Sequence, residues 1–196
     1  MSDRPSTLII CCGAVAREVV ALVRDNGWDH VQITCLPANL HNTPQAISEG
    51  VRAKIRANRS SFSNILVLYS DCGSGGRIQA MLDEEGVEGI GGAHCYEVFA
   101  GSESFRQMMA EEPGSFFLTD FLARHFDKLV FRGLGLDRFP QLRDTYFGKY
   151  KKIVYLAQTE DAELKRRAEA AAASIGLTFE TRYTGYGGFE RFLADR

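Results

Sequence analysis

The sequence contains no apolar run near the ~18 residues that would suggest a membrane span. Its polar start, MSDRPST, lacks the long apolar core and small-residue cleavage site of a secretory signal. It also lacks a charge block: 23 Lys and Arg stand against 25 Asp and Glu, a formal net charge of −2, which leaves no basic footprint for nucleic acid. Gly-x-Gly-x-x-Gly, Walker and Ser-His-Asp patterns are missing, so dinucleotide, nucleoside-triphosphate and serine-hydrolase chemistry have no motif to stand on. Linkers and low-complexity tracts are absent as well. What remains is a chain of 196 residues, 45% hydrophobic, expected to be cytoplasmic and to form one domain over 1–196 with a substantial core. An odd number of cysteines, five, without a secretory signal predicts a reducing compartment, where free thiols serve metals or catalysis more often than disulfides.

Apolar, β-rich runs alternate with helix-length amphipathic segments along the whole chain. TLIICC (7–12), VQITCLP (31–37), NILVLYS (64–70), a short run around GIGGAHC, SFFLTDFL, KIVYLAQ (152–158) and LTFETRYT read as strands. Between them lie helices at about 14–26, after Thr43-Pro44, at about 77–85 and from Tyr96 to about Glu111 with a break near Gly101. A mostly helical insertion spans about 121–150. A further helix is capped by Thr159. Such alternation implies right-handed crossovers and an α/β fold: an open, mostly parallel sheet with helices on both faces, Rossmann-like and doubly wound.

Three cysteines stand where strands give way to glycine or helix: Cys12 in IICCG, Cys72 in LVLYSDCGSGG and Cys95 in GGAHCYE. In a parallel sheet these thiols collect at the carboxyl edge of the strands, where open α/β sheets bind ligands. Cys12, Cys72 and Cys95 with His94 satisfy the soft-ligand preference of zinc or an iron–sulfur cluster, although no dense Cys-x2-Cys spacing is present. Cys11 points the other way from Cys12 and is expected in the core, as is Cys35. The glycines of Asp71-Cys72-Gly73-Ser74-Gly75-Gly76 can turn their amides inward, so Gly73, Ser74, Gly75 and Gly76 form a candidate anion cradle. The same field is expected to lower the Cys72 pKa towards a thiolate. Asp71 and Glu97 are candidate acid–base or ligand-orienting groups, and His41 is a candidate proton carrier at the same edge. Cys72 and Arg77 are one residue short of the Cys-x5-Arg spacing of tyrosine phosphatases. Thr119 and Asp120 end another apolar run and are possible additions to the pocket, with helix capping as the alternative for Asp120. The glycine-rich segment 183–188 is a candidate mobile loop.

Read in order, CGAVAREV, LHNTPQAI, YSDCGSGG, GAHCYEVFAG, FFLTDFLARHFD, LGLDRFPQLRDTYFGKY and VYLAQT resemble a bacterial and archaeal domain-of-unknown-function family often encoded beside corrinoid-dependent methyltransferases. The resemblance runs from about Thr7 to Gly188. It implies a setting in one-carbon or methylamine metabolism without an established activity. Its motif positions in this chain are Cys12, Asp71, Cys72, Gly73, His94, Cys95, Tyr96 and Glu97. Members commonly have alanine where this chain has Cys11, which agrees with Cys12 as the functional thiol.

Three readings stay open on these residues. The first is a metal- or cluster-binding protein acting on a small anionic or methylated molecule. The second is a non-enzymatic accessory that delivers or senses metal or cofactor for a corrinoid methyltransferase partner. The third is a metal-free thiol enzyme with Cys72 as nucleophile.

Overall fold

The computed structural model describes residues 5–194; Met1, Ser2, Asp3 and Arg4 of the polar start lie outside them. The chain divides into two compact units, Met1–Val98 with Gly188–Arg196, and Phe99–Gly187.

The first unit runs β1 (Thr7–Cys12), α1 (Ala16–Asp25), β2 (Val31–Leu36), α2 (Ile47–Asn58), β3 (Asn64–Leu68), α3 (Arg77–Glu85), β4 (Glu88–Gly89) and α4 (Cys95–Ala100). Two short 3-10 turns, Ala38–Asn42 and Pro44–Ala46, lead into α2. β1 and β3 are almost wholly buried along their length, as expected of parallel strands covered on both faces. In α1, Val19 and Leu22 are buried at helical spacing after the buried Val15, which turns one apolar stripe onto the sheet. The opposite face packs Leu8, Ile10 and Val67 against Ile47, Val51 and Ile55 of α2 and against Ile78, Met81 and Leu82 of α3.

All four strands pair in parallel in the order β2-β1-β3-β4. The chain moves outward from β1 to β2 and then crosses to β3 on the other side. The gap between the carboxyl ends of β1 and β3 is therefore the switch point where this class of sheet opens a crevice.

The second unit carries α5 (Ser102–Glu111), β5 (Ser115–Leu118), α6 (Asp120–Phe126), α7 (Leu142–Phe147), β6 (Lys152–Ala157), α8 (Ala162–Ser174) and β7 (Thr178–Tyr183), followed by α9 (Gly187–Ala194), most of which belongs to the first unit. Its strands are parallel in the order β5-β6-β7. Leu118, Phe126, Phe147, Ile153, Tyr155 and Leu164 lead its core. The segment 121–150, expected as a helical insertion, lies between β5 and β6 and contains a π-helical stretch, Asp127–Phe131.

The α/β class and parallel pairing agree with the sequence reading, but the strands sort into two sheets of four and three. Three local details also differ. β4 ends at Gly89, so Cys95 lies six positions further on, at the start of α4. Gly91 and Gly92 have φ of 69° and 83°, a conformation that cannot continue a pleated strand. The cap of α8 is Asp161, which accepts from the amides of Glu163 and Leu164 at 2.8 and 3.1 Å, whereas Thr159 donates to Asp120. Cys35 is exposed because β2 is the edge strand and has no neighbour beyond it in its sheet. Among the described residues no helix is long and apolar enough to cross a membrane.

Candidate functional site

The carboxyl edge of the four-stranded sheet gathers the ends of all its strands. β1 ends at Cys12, whose sulfur accepts from the Ala14 amide at 3.4 Å as the chain turns into α1. Gly13 sits in the tightest part of that turn: its amide bonds the Leu36 carbonyl at 2.8 Å, and a Cβ there would lie 3.0 Å from that oxygen and 3.2 Å from the Ala38 nitrogen. Both neighbours are backbone and cannot swing aside. Gly13→Ala is therefore expected to cost about 1–3 kcal/mol, read as a lower urea midpoint, and to shift Cys12 from its place.

The loop after β3 is held from two sides. The Asp71 and Cys72 amides donate to the Gly92 and Ala93 carbonyls, both at 2.9 Å, which ties this loop to the segment preceding α4. Asp71 then folds its carboxylate back over its own loop, accepting from the Ser74 hydroxyl at 2.5 Å, the Gly76 amide at 2.7 Å and the Gly75 amide at 3.2 Å. These donors, led by Ser74, hold its pKa below the ordinary carboxylate value. The expected anion cradle thus contains its own anion: Ser74, Gly75 and Gly76 serve Asp71, and Gly73 faces the Pro44 ring. Asp71 acts as a structural latch, with its carboxylate too well satisfied to trade protons near neutrality.

Cys72 is the one non-glycine residue with positive φ among the described residues, at 47°. An L-residue in the left-handed region costs roughly 1–2 kcal/mol, and such strain concentrates at sites of function. The latch and the two carbonyl bonds keep it there. Its thiol does not become the expected thiolate. Burial, the neighbouring Cys12 sulfur and the Asp71 charge push it up to about 11, against a weaker opposite pull from the Cys95 amide. The glycine-rich turn gives no net lowering because its amides already neutralise Asp71.

Cys95 is raised in turn, first by burial and then by Cys72 and Cys12. Tyr69, which follows β3 directly and is buried, is raised by burial and then by Cys12. The Ser70 hydroxyl is buried and makes no hydrogen bond, and the buried Tyr69 hydroxyl faces the Cys12 sulfur. The Ser70 hydroxyl lies 3.9 Å from the position a Cβ on Gly92 would take.

The two histidines also meet here. His41, in the 3-10 turn after β2, is held below the usual imidazole value by partial burial and by nearby His94. His94 precedes α4, its ring 6.3 Å from that of Tyr96. Glu97 accepts from the Ala93 amide at 2.8 Å and closes the first turn of α4.

Cys12, Cys72, Cys95, His41, His94, Asp71 and Glu97 thus lie at the end of β1 and in the turns and helix starts that follow the strands of one unit, with Cys95 and Glu97 on α4 and not at a strand end. Tyr69 and Ser70 are the residues the sequence reading missed, and the continuous apolar run in which they end was the available signal. Thr119 and Asp120 belong to the second unit. There Thr119 caps α6 through the Leu122 amide, and Asp120 is fully buried. Of the loop expected at 183–188, Gly187 and Gly188 already start α9. Among the described residues no three of His, Cys, Asp or Glu are drawn together tightly enough to hold a metal ion. The thiols influence one another without closing on a common centre.

No curated protein and no solved structure matches the chain significantly. Residues 35–193, from β2 to α9, match the family model described as protein of unknown function (DUF1638), and the chain belongs to that family.

Proposed function

We propose that the carboxyl edge of the four-stranded sheet binds a soft transition metal, zinc or the iron of a cluster, through the thiols of Cys12, Cys72 and Cys95. The observation that carries this reading is the approach of three thiols, close enough for Cys12 to raise Cys72 and for both to raise Cys95, next to a Ser70 hydroxyl buried without a hydrogen bond. Buried polar atoms are nearly always satisfied, and one left over at a cluster of soft donors suits a bound group. Thiols raised by burial and by one another gain most from a cation, which replaces their protons and removes the repulsion between them. A metal held by three protein ligands keeps one position open, and there it would polarise a small molecule or lower the pKa of bound water. His94 stands ready as a fourth or outer ligand. His41, neutral near pH 7 because its pKa is depressed, can accept a proton at the mouth of the site.

The reading of Cys72 as a metal-free nucleophile has less support: a thiol pushed up to about 11 is mostly un-ionised near neutrality. The accessory reading shares the same ligands and differs only in the fate of the metal once it is bound.

The test is cobalt or zinc titration of protein purified without oxygen, comparing wild type with Cys72→Ser, Cys95→Ser and Cys35→Ser. The expected result is one equivalent bound with sulfur-to-cobalt charge-transfer absorption, lost or weakened at least about 100-fold in the first two variants and retained in Cys35→Ser. Folded wild-type protein that binds neither metal and cannot be reconstituted with iron and sulfide would overturn the proposal.

A further inference from the structure

The two cysteines outside this site form a constellation of their own. Cys11 of β1 and Cys35 of β2 are direct partners in the parallel register, and their sulfurs lie 3.6 Å apart without a bond. Side chains alternate along a strand, so Cys11 faces away from Cys12, which packs with Leu8 and Ile10 on the α2 side. The pair is therefore separated from the three-thiol site by the thickness of the sheet. Adjacent strands lie about 4.8 Å apart, within the Cα separation that a disulfide spans. One partner is fully buried and the other exposed on the edge strand.

We propose that Cys11 and Cys35 are a reversible redox pair, with exposed Cys35 as the peroxide-reactive thiol and buried Cys11 as the thiol that resolves it into a cross-strand disulfide. In the first step the Cys35 thiolate attacks hydrogen peroxide; an S–O bond forms, the O–O bond breaks, and the departing hydroxide takes a proton to become water. In the second step the Cys11 sulfur attacks the Cys35 sulfenic acid; the S–S bond forms, the S–O bond breaks, and a second water leaves with the Cys11 proton. Two thiols lose two electrons and one peroxide becomes two waters. The electrostatics run the same way. The hydrogen bond shared by the two sulfurs, with Lys54 nearby, brings Cys35 down to about 7 against the effect of burial. A depressed, exposed thiol next to a buried partner is the arrangement of a redox-sensitive cysteine pair.

The inference does not depend on metal binding, and its test uses metal-free protein. Protein at pH 7 is treated with hydrogen peroxide, the remaining thiols are alkylated, and peptides are sequenced by mass spectrometry without reduction, which distinguishes Cys11 from Cys12. The expected result is loss of two of the five free thiols, a Cys11–Cys35 bridge, and full recovery with dithiothreitol. Cys35→Ser, a change at an exposed position, is expected to abolish the bridge. Cys11→Ser is expected to leave a Cys35 sulfenic acid that dimedone traps. A bridge among Cys12, Cys72 and Cys95 as the first product would overturn the proposal. So would an unchanged two-thiol loss in Cys35→Ser, or oxidation of Cys35 beyond sulfenic acid in the wild type without a bridge.

Discussion

Asp120→Asn is expected to destabilise the protein by about 3–5 kcal/mol, the scale of breaking a buried charged network by removing one partner. Asp120 is fully buried at the carboxyl end of β5. It accepts from the Tyr155 hydroxyl at 2.7 Å, the Thr159 hydroxyl at 2.6 Å and the Gln158 amide at 3.1 Å. Gln158 reciprocates, accepting the Asp120 amide at 2.7 Å, so the ends of β5 and β6 are joined in both directions. The Arg124 guanidinium lies 3.9 Å away, too far for a hydrogen bond but near enough to balance charge.

The asparagine variant keeps the volume and so opens no cavity. It replaces a carboxylate oxygen with an NH2 group facing donors and leaves Arg124 uncompensated, with one nitrogen of that arginine already buried without a partner. Tyr155→Phe removes one hydrogen bond to the charge and is expected to cost less, about 1.5–3 kcal/mol. Urea unfolding followed by circular dichroism measures both. A fall in midpoint at unchanged slope is the expected form, and a loss under about 1 kcal/mol in Asp120→Asn would show that the network is solvated.

Metal affinity at the three-thiol site is expected to rise steeply with pH. Cys72 is pushed up to about 11 and Cys95 is also raised, so both hold protons at pH 7 that a metal must displace. Each displaced proton contributes one power of ten per pH unit below the thiol pKa. The two raised thiols alone give at least about a 100-fold gain in affinity for each unit of pH between 6 and 8. Competition with a chromophoric chelator across that range measures the slope. A flat profile would mean that the thiols are not the ligands.

The metal-free protein should behave oppositely. A thiol whose folded pKa lies above its unfolded value adds stability that is present below the unfolded pKa and is lost as pH rises through the folded one. For Cys72 that window runs from about 9 to about 11, so alkali destabilises the free protein while favouring the loaded one. Thermal melts with and without metal at pH 7 and pH 10 would show the two trends separating.

Much of this architecture is written in local pattern. Apolar runs of strand length alternating with amphipathic stretches determine the α/β class, and α3 lies over Arg77–Glu85 as its spacing predicts. The positions of Cys12 at the end of β1 and of Cys72 in the loop after β3 follow from chain direction alone: parallel strands bring all their carboxyl ends to one edge. Alternation along β1 likewise separates Cys11 from Cys12. These features depend on periodicity and covalent geometry, which neighbouring residues carry between them.

What only the tertiary structure decided is set by competition and by surroundings. The amides of Gly75 and Gly76 were available in principle to any anion, and the Asp71 carboxylate, tethered a few residues away, reached them first. Whether the Cys72 thiol ionises depended on burial, on the Cys12 sulfur brought from β1 and on the Cys95 amide at the start of α4, neither of which is adjacent in sequence. Cys35 is exposed because strand order made β2 an edge. β4 is only two residues long, with Gly91 and Gly92 at positive φ just beyond it, and the strands of the chain sort into two sheets. Local pattern determines which element a residue joins, but desolvation, hydrogen-bond competition and edge position are properties of the assembled chain, so the chemistry of these thiols appears only there.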